Sequence, residues 1–259
     1  TLKSGWEQKM YAELHCHSNY SFQEGASSIY ELVARARELG YGALALTDHD
    51  NLCGAMEFAR AAGGLGIQPI TGAEVTLKGG SHLTLLAANR KGYGNLCRLI
   101  SYAHVTGDRK NPELDPTYLQ EHAEGLVLLT GCRTGELSGL VTDGRGDEAE
   151  SLAKKYLEWF GQENVFVELQ QNLVQGDTQR NRRLVELARG VGAGVVATNN
   201  VHYHTPDRQR LQDVLVAIRH NKSLDETHRE RRPNSHFYLK SPEQMAALFR
   251  DCPEAIANT

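Results

Sequence analysis

Short β-rich runs alternate with amphipathic helical stretches along almost the whole chain, and this alternation restricts the fold more than any other feature. "MYAELHCH" reads as a strand and "SSIYELVARARELG" as a helix, with Ser27 or Ser28 to cap its start and Gly40 to close its end. "YGALALTDHD" is a strand and "LCGAMEFARAAGGLG" a helix. "IQPITGAEVTL" and "HLTLLAAN" are two strands joined by the turn "KGGS". "GYGNLCRLISYAH" is helical, "VTGDRKNPELDP" a loop, and "LVLLTGC" a strand, followed by helical segments to about Phe160. "NVFVELQ", "TQRNRRLVELARGVG" and "GVVATNNVHYH" continue as strand, helix and strand, and a last helix runs from about Asp207 to Arg219. Strands alternating with helices imply βαβ units, a parallel sheet and an α/β class, either a barrel or an open doubly wound sheet.

Polar residues recur where these strands end: His15 and His17, Asp48 and His49, Glu74, Cys132, then Asn200 and His202. In a parallel α/β barrel all such ends converge on one mouth, which can gather residues from across the chain. Successive side chains of a strand point to opposite faces, so His15 and His17 share a face and Cys16 points away. Imidazole suits Zn, Mn or Fe, and carboxylates complete such sites. An isolated His-x-His is more often a pair of surface or core histidines; its repetition at regular strand ends is what favours a metal centre. No GxGxxG or GxxxxGK[ST] is present, so a nucleotide-cofactor site has no support.

Composition sets outer limits. The 259 residues suffice for one large or two small domains, and the 40% hydrophobic and 23% charged content is that of a soluble globular protein. No apolar run approaches the ~20 residues of a membrane span, and "TLKSGWEQKM" carries no apolar signal region. A net charge of −4 argues against a broad nucleic-acid-coating surface. Five scattered cysteines without a CxxC indicate a reducing, cytoplasmic setting and no disulfide framework.

"HCHSNYSFQEGAS", "ALALTDHDNLCGAMEF", "PITGAEVTL", "HLTLLAANRKGYGNLCRLIS", "GLVLLTGC" and "ATNNVHYH" together resemble the polymerase-and-histidinol-phosphatase (PHP) domain. More narrowly, they look like that domain of bacterial C-family DNA polymerases, the DNA polymerase III alpha-subunit group, and most like its error-prone branch. The tail from "LQDVLVAIRHNKSLDE" through "HFYLKSPEQMAALFRDCPEAIANT" is similar to the segment that leads into the polymerase palm. The resemblance runs from about Tyr11 to Thr259. It implies a distorted (β/α)7 TIM-like barrel with a cluster of up to three divalent ions (Zn, Mn or Fe) at the C-terminal mouth of the strands. Carried over position by position, the implied metal ligands are His15, His17, Glu24, His49, Glu74, His104, Cys132, Asn200 and His202, with His15, His17, His49, Glu74 and His202 also central to catalysis. Two positions depart from the family pattern: Glu24 stands where Asp is common, and Asn200 where Asp is usual. An amide oxygen is a neutral ligand that cannot bridge two cations.

The expected organisation is a tag or N-terminal extension at 1–10, a PHP barrel at 11–220, and an extension at 221–259 leading toward a polymerase palm absent from this chain. The implied function is metal-dependent phosphoester hydrolysis, as a 3′–5′ exonuclease or in pyrophosphate handling, within an error-prone polymerase acting in DNA replication and repair. DNA 3′ ends and the remaining polymerase domains are the partners, with no membrane. A metal-stabilised scaffold without catalysis is a second reading, and a free-standing phosphatase of the histidinol-phosphate type a third. Arg109 and Lys110 are candidates to hold a phosphate. His82 opens its strand and reads as structural. Asp48 is a partner orienting a ligand histidine, and Asp50 serves equally as a helix cap. Cys53, Cys97 and Cys252 read as small core residues, "HRERRP" (228–233) as a solvated turn, and His204 and His220 have no assigned role.

Overall fold

The computed structural model describes residues 11–107 and 111–259. The extension at 1–10, and Arg109 and Lys110, lie outside the described residues. The first helix, α1 (Ile29–Glu38), begins as its sequence dictates. Ser28 Oγ accepts from the Glu31 backbone N–H, while the Glu31 carboxylate accepts from the Ser28 N–H. Such a capping box satisfies two orphan donors, and a capping side chain of this kind is worth ~1 kcal/mol. Ile29, Leu32, Val33 and Ala36 form its buried stripe.

β1 (Ala43–Leu46), α2 (Ala55–Gly64), β2 (Gln68–Thr76), β3 (His82–Ala87), α3 (Arg90–Thr106), α4 (Pro116–Glu121) and β4 (Leu126–Leu129) follow. Then come α5 (Glu136–Thr142), α6 (Gly146–Phe160), β5 (Val165–Gln170), α7 (Asp177–Val191), β6 (Gly194–Thr198), α8 (Gln209–His220), α9 (Pro242–Leu248) and α10 (Pro253–Ala257). The strands form one sheet in sequential order. β1 and β2 are parallel, as are β4, β5 and β6. β3 is antiparallel to both neighbours, so the sheet is mixed where the alternation alone implied a parallel one. The turn between β2 and β3 is too short for the crossover that a parallel pair needs.

The N-terminal segment closes the barrel. Glu13 bridges Leu44 of β1 and Cys16 bridges Val201 beyond β6, both in parallel sense. The carbonyls of Glu13 and Cys16 accept from the backbone of Ala45 and Thr47, so three residues on this segment span two on β1. That mismatch is the count of a β-bulge, and it explains why "AELHCH" forms bridges where a regular strand was expected. Inside, the barrel has an apolar floor of Ala45, Leu86, Leu129 and Val196. Above it lies a polar layer of buried His15, Thr84, Glu168 and Thr198. Outside, the strands pack on the helices through residues of the other parity, among them Leu44, Leu46, Val167, Leu169 and Ala197. Met245, Phe249 and Ala255, from the segment after the barrel, join this same outer core.

Candidate metal centre

Glu74, near the end of β2, is the hub of the mouth. Its Oε1 lies 3.3 Å from His15 Nε2 and 3.3 Å from His82 Nδ1. Its Oε2 lies 3.3 Å from His49 Nδ1 and 3.7 Å from His17 Nε2. Cys132 Sγ completes the ring at 3.3 Å from Oε1. Two triads, His15–His17–Glu74 and His49–Glu74–His82, are compact enough to hold a cation each, and they share Glu74.

The histidines are held from behind. His15 Nδ1 meets Glu168 Oε1 at 2.6 Å, deep in the barrel, and Gln170 Nε2 donates to the same oxygen. His17 Nδ1 meets Ser21 Oγ at 2.9 Å, and Ser21 Oγ donates in turn to Asp48. Asp48 thus acts on His17 through a hydroxyl, and it also accepts from the Ser18 backbone and side chain. Asp50 does not cap a helix. Its carboxylate accepts from the backbone N–H and hydroxyl of Thr76 and lies 3.2 Å from His49 Nε2.

Fixing Nδ1 in this way leaves Nε2 free to act as a ligand, and a partner on the second ring nitrogen is the usual device of metal-binding histidines. Nε2 of His15 and of His17 are both fully buried and make no hydrogen bond within the described residues. Buried polar atoms are rarely left so. Two ligands on a tetrahedral ion with bonds of about 2.0–2.1 Å stand roughly 3.3–3.4 Å apart. Three of the Glu74–imidazole separations have that spacing. Imidazole, carboxylate and thiol donors together suit Zn and related transition ions. The residues present fit a metal.

The electrostatics agree. Burial pushes the Glu74 carboxyl up, but His82 and His15 outweigh it and hold the group well below the usual carboxylate range. Burial lowers His49 and His82, yet Asp50 and Glu74 lift His49 to about 9, and Glu74 and Cys132 lift His82 to about 10. His15 is likewise raised, burial opposing and Glu168 and Glu74 prevailing. Without a metal, protons on His15, His49 and His82 balance the carboxylate charge. His17 and His202 behave oppositely: burial holds both well below the ordinary histidine value, and Arg232 depresses His202 further.

Of the residues carried over from the family, His15, His17, His49, Glu74 and Cys132 converge on one another. Glu24 reaches the edge of the group, its Oε2 3.2 Å from His49 Nδ1. His202 stacks on His17 with ring centroids 4.4 Å apart, and its Nε2 is 2.8 Å from Asn200 Oδ1. His104 belongs to neither triad. It is exposed, near the end of α3, and its Nε2 bonds the carbonyl of Asp50 at 2.7 Å.

His82 takes the place beside Glu74 that His104 does not. It opens β3, and because that strand is antiparallel its start lies at the mouth where the parallel strands end. Gly131 makes the approach of Cys132 possible. Its φ is +88°, and a Cβ there would sit 2.1 Å from the His82 carbonyl oxygen. Glu168 was also missed; its signal was a single acidic residue in the apolar strand "VFVELQ". Among the residues set aside, Cys16 and Cys252 are buried, Cys97 is half-buried, and Cys53 is exposed in the turn before α2, where a core position was expected. His204 bonds Ser27 Oγ. The 228–233 segment is a turn with His228, Arg229 and Pro233 exposed, but Arg231 and Arg232 are half-buried, and with His228 and Arg229 they line the cleft above Glu74, a space of about 520 Å³ that His220 also borders.

A family model for the PHP domain matches residues 13–172. The chain is 42% identical to the error-prone DNA polymerase of Symbiobacterium thermophilum, over 96% of this chain and 24% of that one. It is 40% identical to the DNA polymerase III subunit alpha of Treponema pallidum, over 96% and 22%. The chain thus spans about a quarter of the length of these curated relatives. A candidate metal-dependent phosphoesterase from Bifidobacterium adolescentis superposes with a TM-score of 0.54 at 14% identity, covering 75% of this chain and 88% of that one, a likeness of fold. No helix among the described residues is long and apolar enough to cross a membrane. With its family match spanning most of the barrel and its mouth built around Glu74, the chain belongs to the PHP domain family.

Proposed function

We propose that this chain is the PHP portion of an error-prone C-family DNA polymerase, and that its mouth is a metal-dependent phosphoesterase acting on DNA 3′ ends in replication and repair. One observation carries the reading: the buried, unpartnered Nε2 atoms of His15 and His17 converge on Glu74 beneath an open cleft. His15, His17, Glu74, His49, His82 and Cys132 would hold the ions, drawn from Zn, Mn or Fe. When bound, such ions lower the pKa of water and neutralise phosphate oxygens. The residues do the rest. Glu168 keeps a proton on His15 Nδ1, which leaves Nε2 as an acceptor. Ser21 and Asp48 do the same for His17. Arg229 borders the cleft and suits a phosphodiester, since guanidinium groups pair with phosphate in a bidentate manner. DNA and the remaining polymerase domains are the proposed partners, with 11–220 as the barrel and 221–259 as the link between them.

The test is release of nucleotides from 3′-labelled single-stranded and mismatched DNA by the metal-loaded protein, with His15→Ala as control. Turnover lost in His15→Ala supports the enzyme. Metal retention with no turnover in the wild type leaves the second reading, a metal-stabilised scaffold. That alternative draws on one observation: barrel closure and the ligand pair reside on the same segment, so metal affinity is folding energy here.

A further inference from the structure

The two cation-sized triads account for His15, His17, His49, His82 and Glu74. Of the rest of the implied set, Cys132 joins them at Glu74 and His104 is bonded to the Asp50 carbonyl, which leaves Glu24, Asn200 and His202. Glu24 Oε1 is paired with Arg219 Nη1, and His202 Nε2 is contacted by Arg232 Nη2. Asn200 Oδ1 lies 2.8 Å from that same imidazole nitrogen. Arg232 Nη2 and Asn200 Oδ1 therefore share one imidazole nitrogen as their partner.

Arg232 is not a free surface arm. Its guanidinium carbon lies 4.4 Å over the Phe237 ring, and Phe237 is buried beside His202. The flanking residues are tethered, Arg231 Nη1 to Asp213 Oδ2 at 3.1 Å and Glu230 Oε1 to Lys222 Nζ at 2.6 Å. The 228–233 segment is thus anchored so as to direct one arginine inward. Arg219 reaches the cleft from α8. Two guanidinium groups carry the same total charge as one divalent ion. Asn200, being neutral, asks for less positive charge than a carboxylate in its place would.

We propose that Arg219 and Arg232 close the Glu24–His202–Asn200 edge of the centre in place of a third metal ion. The site then takes two ions, both on Glu74, and presents two guanidinium groups to the substrate phosphate on the remaining side. This rests on the metal-centre reading above.

Calorimetric titration of the chelator-stripped protein with Mn or Zn, checked by elemental analysis after desalting, tests it. The wild type is expected to saturate at about two equivalents per chain, and Arg219→Gln/Arg232→Gln at about three, because freed ligands recruit an ion. Adding His202→Ala to that pair returns the count to about two. Saturation of the wild type at about three equivalents overturns the inference while leaving the metal centre standing, and needs no variant to fold. A folded double variant that stays at about two equivalents also overturns it. No binding by the wild type overturns the metal-centre reading itself, and the inference with it.

Discussion

Glu168→Gln isolates the part of the centre that touches no metal. Glu168 is fully buried, with Oε1 2.6 Å from His15 Nδ1 and 2.8 Å from Gln170 Nε2. Its Oε2 makes no hydrogen bond among the described residues, so the amide nitrogen of glutamine can take that place without displacing a donor. Shape and the bond from His15 survive; the charge does not. Hydrogen bonds to ionised groups contribute about 1.5–3 kcal/mol and neutral ones about 0.5–1.5 kcal/mol, a difference of roughly 1–1.5 kcal/mol. That converts to about tenfold in dissociation constant, at the lower end of the 10–100-fold usual for such outer partners. Competition against a zinc-sensitive fluorescent chelator reads the affinity. Thermal unfolding in excess EDTA reads the fold separately, so that any metal-free stability lost with this buried partner of His15 is measured apart from the affinity. Affinity within twofold of the wild type refutes the reasoning. So does an affinity loss that tracks an equal loss of metal-free stability.

Other outcomes separate the residues at the mouth. His82→Ala should cost about one equivalent of bound metal, whereas His104→Ala should leave the count unchanged, as elemental analysis would show. Gly131→Ala places a side chain on a backbone with φ +88° and against the His82 carbonyl; about 1–3 kcal/mol of stability should be lost, read as a urea midpoint, with weaker metal binding. Lys240 is lowered by burial to about 7, Glu13 opposing only in part. Its unfolded form still binds a proton above that value, so stability should rise with pH between about 7 and 9.5, by up to about 3 kcal/mol. Unfolding of the wild type minus Lys240→Met in EDTA isolates the effect; a difference flat across that window contradicts it.

The alternation of strands and helices, and the polar residues closing each strand, were readable because each reports a local pattern. Ser28 capping α1 and the outward turn of Cys16 are of this kind. Strand direction is not local. The sense of β3 follows from a turn length, and with it goes the position of His82, which a uniformly parallel sheet would put at the far end of the barrel. His104 shows the converse: a histidine at a helix end can stand near a site and still be spent on a carbonyl. Glu168 and Arg232 were missed for a third reason. Each acts through a histidine more than 25 residues away in sequence, and spacing in one chain carries no trace of that pairing. The cluster "HRERRP" looked like solvent-facing charge because nothing in its composition shows that Phe237 and Asp213 anchor it.

The segment that closes the barrel also carries His15 and His17, and its neighbours come from the far end of the chain. Asn199 donates to Glu13 across 186 residues, and Ala12 donates to Thr259 across 247. Contacts of such separation form late and slowly, since the intervening loop must first lose its entropy. On a ribosome, the first ligands to be made wait for nearly the last residues of this chain before they have a site to belong to. On the proposed reading, ion capture would follow closure of the barrel: a nascent chain that has not yet delivered Val201 has the histidines but no assembled site for an ion.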